Sequence, residues 1–249
     1  AIYLDSLNYN IINTNNLFKE LIDKFNSYKD IDIDVDDKIL RDYQVIGVKW
    51  LYNIYKCGFG GILADEMGLG KSIQLIYFIK QILKEKKGKI LIVSPTSLIY
   101  NWENEFNKFG SELNYQVIAE NKIKRNELLH NTDADILITT YGLVRQDLEE
   151  YLKINFELVV IDEAQNIKNP NALMTKAIKS INANTKIALT GTPLENNVLE
   201  LWSIFDFIMP GYLASINKFT KKYNLKDVNE EELNKLNSLS KQIKPFILR

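Results

Sequence analysis

Short apolar runs alternate with helical stretches along the chain from Leu40 onward. The runs, each bounded by turn residues or polar segments, are GGILA, KILIVS, YQVIAE, DILITT, ELVVID and KIALTG. Buried runs of this length, alternating with helices, are typical of a parallel sheet that helices cover on both faces. The pattern therefore predicts an α/β fold with a mostly parallel sheet.

The pattern differs before Leu40 and after Pro210. Residues 14–28 space their leucines and phenylalanines at helical intervals and predict one amphipathic helix. The acidic DIDIDVDD that follows alternates with period two, which fits either a short edge strand or a solvated linker. The tail after Pro210 is rich in Lys and Asn and is predicted to be mostly helical. We therefore predict an N-terminal extension over residues 1–39 and one α/β domain over residues 40–249.

Composition narrows the function mainly by exclusion. The 249 residues are 46% hydrophobic and 25% charged, a globular composition, and 31 Lys and Arg against 32 Asp and Glu give a net charge of −1. No global charge marks a polyanion binder, so any nucleic-acid surface must be local. Because Cys57 and His130 are the single residues of their types, an internal disulfide framework and a Cys/His zinc site are excluded.

The chain has no apolar run of about 18 residues, the length of a membrane span, and its start lacks the features of a signal peptide. We therefore expect an intracellular, cytoplasmic protein without a membrane partner. The sequence begins without Met and ends at KPFILR, which leads us to expect a piece of a longer protein.

The stretch GGILADEMGLGKS, residues 60–72, carries the signals of a phosphate-binding loop. A buried strand, GGILA, precedes a turn with Gly68 and Gly70, and an apolar helix opens at Lys71. Lys71 would reach the β and γ phosphates and the Ser72 hydroxyl would ligate Mg²⁺. Asp65 stands where the usual pattern G-x-x-x-x-G-K-S/T has its first glycine. The alternative is a glycine-rich turn before an ordinary helix.

A second signal follows the apolar run ELVVID, which delivers Asp162 and Glu163 where a parallel strand ends. In an open α/β sheet the carboxyl ends of the strands share one edge, which is also the edge of the phosphate loop. One carboxylate there can hold Mg²⁺ through water, and a second can orient or deprotonate the attacking water. The alternative is an acidic helix N-terminus, which the helix dipole favours.

Six motifs then occur in a familiar order. They are LRDYQ (residues 40–44), ADEMGLGKS (64–72), IVSPTSLIYNW (92–102), ITTYGLV (138–144), DEAQNIKNP (162–170) and LTGTPLEN (189–196). With them the chain resembles the first RecA-like lobe of superfamily-two helicases and, more narrowly, the Swi/Snf-type ATPases. These are double-stranded-DNA translocases that include chromatin remodellers and bacterial relatives. LTGTP in place of Ser-Ala-Thr argues against the DEAD-box RNA helicases, and PFILR (245–249) resembles the exit from lobe one.

The resemblance implies a DNA-dependent ATPase with ATP and Mg²⁺ as cofactors, and it assigns residues to each role. The implied catalytic residues are Lys71, Asp162, Glu163 and Gln165. The implied nucleotide-binding residues are Gln44, Asp65, Glu66, Met67, Gly68, Leu69, Gly70, Lys71 and Ser72. The implied metal ligands are Ser72 and Asp162. The implied nucleic-acid contacts are Ser94, Thr96, Thr140, Tyr141 and Thr192.

Within this resemblance Gln44 would read the adenine, although Asp42 replaces the usual proline of that motif, and Asp65 becomes a family feature. The implied partners are double-stranded DNA, gripped by both lobes, and a second RecA-like lobe of the same full-length protein that carries arginines for hydrolysis. In a bacterium the protein would be nucleoid-associated. The segment between residues 223 and 233 is short beside the insertions of eukaryotic remodellers, so nucleosome-specific work is not expected.

Other readings stay open from the residues alone. Trp102 and Trp202 lie on apolar helical faces and are predicted to pack in the core rather than to stack on bases. The lysine groups at 84–89 and 218–223 fit solvated faces, with phosphate contact as the alternative. We expect Cys57 to be buried or half-buried and His130 to be at the surface. A switch or assembly ATPase that acts on a protein partner is the alternative function, and a degenerate lobe is the third, although intact catalytic residues argue against it.

Overall fold

The computed structural model describes residues 33, 35, 38–191, 198–223 and 230–249, with backbone alone for 230–233. The helix predicted over residues 14–28, most of the acidic segment after it and Thr192 lie outside the described residues. Of that segment, Ile33 and Val35 are described; neither is in regular secondary structure, and Val35 is buried against the core.

A seven-stranded parallel sheet forms the centre of the fold, which confirms the predicted class, and its strand order is β3-β4-β2-β5-β6-β1-β7. The strands are β1 (Gly61–Leu63), β2 (Lys89–Ser94), β3 (Tyr115–Val117), β4 (Ile136–Thr140), β5 (Phe156–Ile161), β6 (Ala183–Leu189) and β7 (Ile247–Leu248). The six apolar runs account for β1 to β6. The seventh strand, within PFILR, is a two-residue edge strand beside β1 that the sequence pattern did not predict.

Ten helices are described around this sheet. They are α1 (Asp42–Lys56), α2 (Lys71–Glu85), α3 (Ile99–Phe109), α4 (Lys122–Asn131), α5 (Tyr141–Gln146), α6 (Leu148–Tyr151), α7 (Leu173–Ser180), α8 (Val198–Ile208), α9 (Ile216–Tyr223) and α10 (Glu230–Ile243). Short 3-10 turns span Thr96–Leu98, Ala164–Ile167 and Lys244–Phe246. Helix α2 begins at Lys71, as the sequence predicted.

The central strands are covered on both faces. Every residue of β4 and β5 is buried, including the polar Thr139, Thr140 and Glu157, so both faces of these strands are covered. Trp102 and Trp202 are 2% and 7% exposed, which confirms their predicted packing. Cys57 is buried and the His130 side chain is exposed, as expected.

Two lysines of the group at 84–89, Lys86 and Lys89, have partners within the protein, and Lys89 is less solvated than predicted. Lys89 begins β2 and donates from Nζ to the carbonyl oxygens of Thr132 and Ala134. Lys86 pairs with the buried Glu157 at 2.7 Å. In the part of the chain described, none of the helices is both long and apolar enough to cross a bilayer.

The order of the strands determines which motifs meet. Strand β6 lies between β1 and β5, so the residues that leave β6 stand between the phosphate loop after β1 and the acidic motif after β5. The segments after β2 and β4 leave the same edge, because all these strands are parallel. The fold therefore gathers four of the six sequence motifs, and the described start of LTGTPLEN, at the carboxyl edge of one sheet.

Candidate nucleotide and metal site

The phosphate loop has the backbone geometry of an anion cradle. Gly68 and Gly70 have φ angles of 84° and 77°, the left-handed region that glycine adopts without strain, and Gly70 is the N-cap of α2. A Cβ at Gly70 would lie 2.5 Å from Gln44 Nε2, so a side chain there would also displace the Gln44 amide from Leu69 O. At Gly68 a Cβ would meet nothing within 4 Å, which leaves open space on that side of the loop.

The cationic group of the loop is Lys71. Its Nζ donates to the carbonyl oxygens of Asp65 at 2.8 Å and Glu66 at 3.2 Å. The ammonium group therefore lies against the backbone of the loop, and Ser72, the next residue in the chain, is half-buried. A lysine, a helix N-terminus and a hydroxyl form a donor set that fits a Mg²⁺-bound polyphosphate.

Helix α1 is tied to this loop by its first residues. Gln44 Nε2 donates to Leu69 O at 3.2 Å, and Arg41 N donates to Gln44 Oε1 at 3.0 Å. Tyr43 also donates its hydroxyl to Leu69 O, at 3.3 Å. The Gln44 amide is thus engaged within the protein, and its predicted contact with adenine stays a prediction.

Asp65 explains how this loop differs from the usual glycine pattern. Its side chain is buried and its Oδ2 accepts a hydrogen bond from Gln74 Nε2 at 3.0 Å, on the second turn of α2. The carboxylate therefore points to the helix behind the loop and fixes the loop to it. Three neighbouring side chains, Glu66, Met67 and Leu69, are exposed at the mouth instead.

Hydrogen bonds hold both carboxylate oxygens of Asp162 and both polar groups of its backbone. Its Oδ2 accepts from Trp102 Nε1 at 3.0 Å and its Oδ1 from the Glu163 amide at 2.9 Å. Its own amide donates to Val93 O at 2.8 Å, and its carbonyl accepts from the Tyr141 hydroxyl at 2.6 Å. The carboxylate that the sequence assigned to Mg²⁺ is therefore fixed in position before any ligand binds.

Electrostatics make the same carboxylate receptive to a cation. Burial raises the pKa of Asp162, and the negative charge of Glu163 adds to this effect. The Trp102 hydrogen bond and the positive charge of Lys71 oppose it. A half-buried carboxylate with a raised pKa gains from a nearby divalent cation, so the site suits Mg²⁺. Burial also raises the pKa of Tyr141 well above its usual range, so that its hydroxyl stays a donor.

Glu163 has an unusual backbone and a chain of polar contacts. Its φ and ψ are 52° and 61°, the left-handed region, which is uncommon for a residue with a side chain and often marks a functional site. Gln165 Nε2 donates to Glu163 Oε2 at 2.7 Å, and Thr190 Oγ1 donates to Gln165 Oε1 at 3.3 Å. These two hydrogen bonds connect the end of β6 to the predicted catalytic base, Glu163.

Three residues of the site were not assigned from the sequence. Trp102 was predicted to be a core residue, and it also donates to Asp162. Gln74 and Thr190 were not singled out, although Thr190 lies within the LTGTP motif. Hydrophobic spacing signals burial but carries no information about a hydrogen bond to a residue distant in sequence.

The predicted nucleic-acid residues occupy different environments. Thr96 is exposed in the turn Thr96–Leu98. Ser94 is buried and donates to Pro95 O, and Thr140 caps α5 by accepting from Leu143 N. Tyr141 is 4% exposed, and its hydroxyl donates to the backbone carbonyl of Asp162 in the interior. Their contact with nucleic acid stays a prediction, and Tyr141 has an internal partner that the sequence did not indicate.

The protein supplies few metal ligands of its own. In the described ranges there is no group of three or more His, Cys, Asp or Glu side chains that could hold a metal ion. Mg²⁺ sites of phosphoryl-transfer proteins commonly use one or two protein ligands with substrate phosphates and water. The pair Ser72 and Asp162 fits that kind of site.

Comparisons with known proteins identify the family of the chain. Residues 43–249 match the SNF2-related domain. The chain is 38% identical over 251 residues to an uncharacterized ATP-dependent helicase of Mycoplasma pneumoniae, covering 99% of this chain and 24% of that protein. It is 39% identical over 214 residues to a putative ATP-dependent helicase/translocase of Bacillus subtilis, covering 84% and 23%.

Solved structures that resemble the chain come from the same family. The Sulfolobus solfataricus SWI2/SNF2 ATPase core in complex with double-stranded DNA superimposes with a TM-score of 0.78 at 39% identity, over 88% of this chain and 46% of that one. The SWI2/SNF2 ATPase core domain of the same organism gives 0.72 at 38% identity, over 88% and 44%. The chain thus spans about a quarter of these curated relatives and less than half of these solved structures.

Proposed function

We propose, from the premise that this chain belongs to the family of SNF2-related domains, that it is the ATP-binding lobe of an ATP-dependent translocase on double-stranded DNA. The observation that carries the proposal is that Asp162 and Glu163 follow β5 at the sheet edge where Lys71 opens α2, close enough for the charges of Lys71 and Glu163 to act on the pKa of Asp162. Glu163 is connected to the end of β6 through Gln165. Relatives named as ATP-dependent helicases support the use of ATP.

Each residue has a defined part in the proposed mechanism. Lys71 exchanges its two carbonyl partners for phosphate oxygens, and the amides at the start of α2 bind the same phosphates. Ser72 and Asp162 would hold Mg²⁺, which would supply positive charge beside the phosphates. The surrounding hydrogen bonds keep the Asp162 carboxylate in that position.

Glu163 is the proposed general base. Gln165 occupies its Oε2, so the free Oε1 is the atom that takes the proton from the attacking water. Because Gln165 is itself held by Thr190, movement at the end of β6 would move the base. This arrangement links hydrolysis to the LTGTP motif, which the resemblance assigns to coupling.

The proposed partners are double-stranded DNA and a second RecA-like lobe that closes the nucleotide site and supplies arginine. The Sulfolobus core with duplex DNA supports the first, and exposed Glu66, Met67 and Leu69 beside the loop leave room for the second. Such an activity would place the protein in the cytoplasm, and with the nucleoid in a bacterium.

Phosphate release by the full-length protein, measured with and without duplex DNA, tests this proposal. We expect Mg²⁺-dependent hydrolysis that duplex DNA stimulates, and displacement of a triplex-forming strand along the duplex. Lys71→Ala should abolish both signals. Hydrolysis that duplex DNA leaves unchanged, at low salt and saturating ATP, would contradict the translocase and favour a switch or assembly ATPase.

A further inference from the structure

Two segments that the sequence assigned to nucleic-acid contact both reach the Asp162 residue. Trp102, on the first turn of α3, is the last residue of the motif that contains Ser94 and Thr96, and its Nε1 donates to Asp162 Oδ2 at 3.0 Å. Tyr141, the first residue of α5, follows Thr140, and its hydroxyl donates to Asp162 O at 2.6 Å. The two donors come from different strand ends and meet at one acidic residue.

The two hydrogen bonds constrain different parts of Asp162. The indole N–H occupies one lone pair of Oδ2 while the Glu163 amide occupies one of Oδ1, so together they fix the plane of the carboxylate. The Tyr141 hydroxyl fixes the carbonyl, and thus the peptide that leads into the left-handed backbone of Glu163. One bond therefore orients the metal ligand, and the other holds the backbone on which the base stands.

Both hydrogen-bond donors adjoin segments at the carboxyl edge of the sheet, so movement of these segments would affect both hydrogen bonds. Helix α3 continues directly from the turn Thr96–Leu98, where Thr96 is exposed, and Tyr141 adjoins the capping residue Thr140. Both donor side chains are almost fully buried in packed surroundings, so a shift of either segment would shift its donor group relative to Asp162. A ligand at this edge can thus change the metal site without touching it.

We infer that Trp102 and Tyr141 are positioning residues that couple occupation of these two segments to the Asp162 carboxylate and hence to Mg²⁺ binding. The inference deepens the proposed function and rests on it for the nature of the ligand, duplex DNA. The positioning role itself concerns Asp162 alone and has its own test.

The rival explanation is packing, because Trp102 lies 6.1 Å from Phe106, centroid to centroid, in the core. Trp102→Phe and Tyr141→Phe remove the donors and keep an aromatic ring. The chain offers matched controls elsewhere: Trp202 Nε1 donates to Ala214 O at 3.1 Å, and the Tyr212 hydroxyl donates to Gln242 O at 3.0 Å. Trp202→Phe and Tyr212→Phe therefore lose the same groups away from Asp162.

The first experiment measures ATP affinity of the full-length protein by calorimetry, in Mg²⁺ and in EDTA, without DNA. We expect each variant at Trp102 and Tyr141 to keep the parental ATP affinity in EDTA. In Mg²⁺ the ATP affinity of each should fall about tenfold, which for Trp102 is the scale of one hydrogen bond to a charged group. The two controls should match the parent in both buffers. An unchanged gain on adding Mg²⁺, or equal losses in both buffers, would refute the positioning role.

The second experiment measures how far duplex DNA stimulates phosphate release in the same proteins. We expect stimulation to fall at least fivefold in the variants at Trp102 and Tyr141 and to persist in both controls. Parental stimulation in those variants would refute the coupling. A parent that DNA does not stimulate would overturn the coupling and the proposed function together, whereas the first experiment would still decide the positioning role.

Discussion

Gln165 donates its side-chain amide to Glu163 Oε2 at 2.7 Å and accepts a hydrogen bond from Thr190 at 3.3 Å. The amide group thus uses both of its ends, one on the predicted base and one on the residue that leaves β6. Since β6 lies between the phosphate loop and the acidic motif, this contact is a polar connection between the LTGTP motif and the predicted base. The predictions on catalysis follow from it.

Glu163→Gln should leave ATP binding intact and remove turnover in the full-length protein. The substitution keeps the size of the side chain but cannot take a proton from water. Calorimetry and phosphate release measure the two properties separately. Glu149→Gln, an exposed carboxylate on α6, is the matched control. A Glu163→Gln protein that hydrolyses ATP at the parental rate would remove Glu163 from the role of base.

Lys71→Ala should weaken binding of Mg²⁺-ATP. The ammonium group lies against the backbone of the phosphate loop, and the charge-assisted contacts that it would make with phosphate oxygens are worth about 1.5 to 3 kcal/mol each. The measurement is a calorimetric titration, with exposed Lys87→Ala as the control. Equal affinities for the parent and the Lys71 variant would place the nucleotide elsewhere.

The parts of the site that the sequence predicted are those with local causes. The turn at Gly68 and Gly70 and the helix that opens at Lys71 depend on neighbours in the chain, and the structure confirms these elements. The strand that delivers Asp162 also follows from one continuous apolar run. Positions at a strand end or a helix start can be read from a short window of residues.

The parts that were missed depend on residues far apart in the chain. Trp102 and Asp162 are separated by 60 positions, and only the parallel pairing of β2 with β5 brings them together. Strand β7 has two residues and exists because it pairs with the edge of β1. Neither contact leaves a periodic signal, so the pattern predicted only a packed tryptophan, and PFILR was interpreted only by its resemblance to the exit from lobe one.

Gly47→Ala should destabilise the contact between α1 and α2. A Cβ at this position would lie 1.7 Å from Gln74 Oε1, and Gln74 is fully buried while it holds Asp65. Gln74 therefore cannot move without giving up that hydrogen bond. We expect the free energy of unfolding to fall by about 1 to 3 kcal/mol, despite the better helix propensity of alanine.

Urea unfolding of residues 1–249 measures this effect, with Gly142→Ala on α5 as the control. The nearest atom to a Cβ at Gly142 is Thr140 Oγ1 at 4.0 Å, so alanine fits there. The control should be neutral or more stable by up to about 1 kcal/mol. A Gly47 variant as stable as the control would show that Gln74 has another position open to it.

Lys186 should make the stability of the protein depend on pH in the alkaline range. Burial lowers the pKa of Lys186 from its usual 10.5 to about 8, with the nearby charge of Lys179 adding to the decrease and Asp206 opposing it. Between about pH 8 and 10.5 the unfolded chain binds more protons at this group than the folded chain does. The contribution of Lys186 to the free energy of unfolding therefore rises with pH across this window.

Lys186→Met should remove that rise and should stabilise the protein at pH 7, where the buried ammonium is unfavourable. We expect a gain on the order of 1 to 3 kcal/mol, reduced by loss of the hydrogen bond to Lys179 O. Urea unfolding at pH 7 and pH 10 provides the comparison, with exposed Lys176→Met as the control. Equal slopes with pH for the parent and the Lys186 variant would contradict this assignment.

Residues 1–249 alone should hydrolyse ATP poorly. The exposed Glu66, Met67 and Leu69 leave the mouth of the phosphate loop uncovered, and the proposed second lobe would close it. An arginine supplied across such an interface accelerates phosphoryl transfer by a factor on the order of 10³ to 10⁵. DNA binding should also be weak and steeply dependent on salt, because the net charge is −1 and only one half of the proposed clamp is present.

The decisive comparison is phosphate release by residues 1–249 and by the full-length protein, each with and without duplex DNA at one salt concentration. We expect the shorter chain to bind nucleotide weakly and to show almost no DNA-stimulated turnover, and the longer one to show both activities. The Glu163→Gln form of the longer chain gives the background rate. Robust DNA-stimulated turnover by residues 1–249 would show that no second lobe is needed, because one wall of the site would then suffice for catalysis.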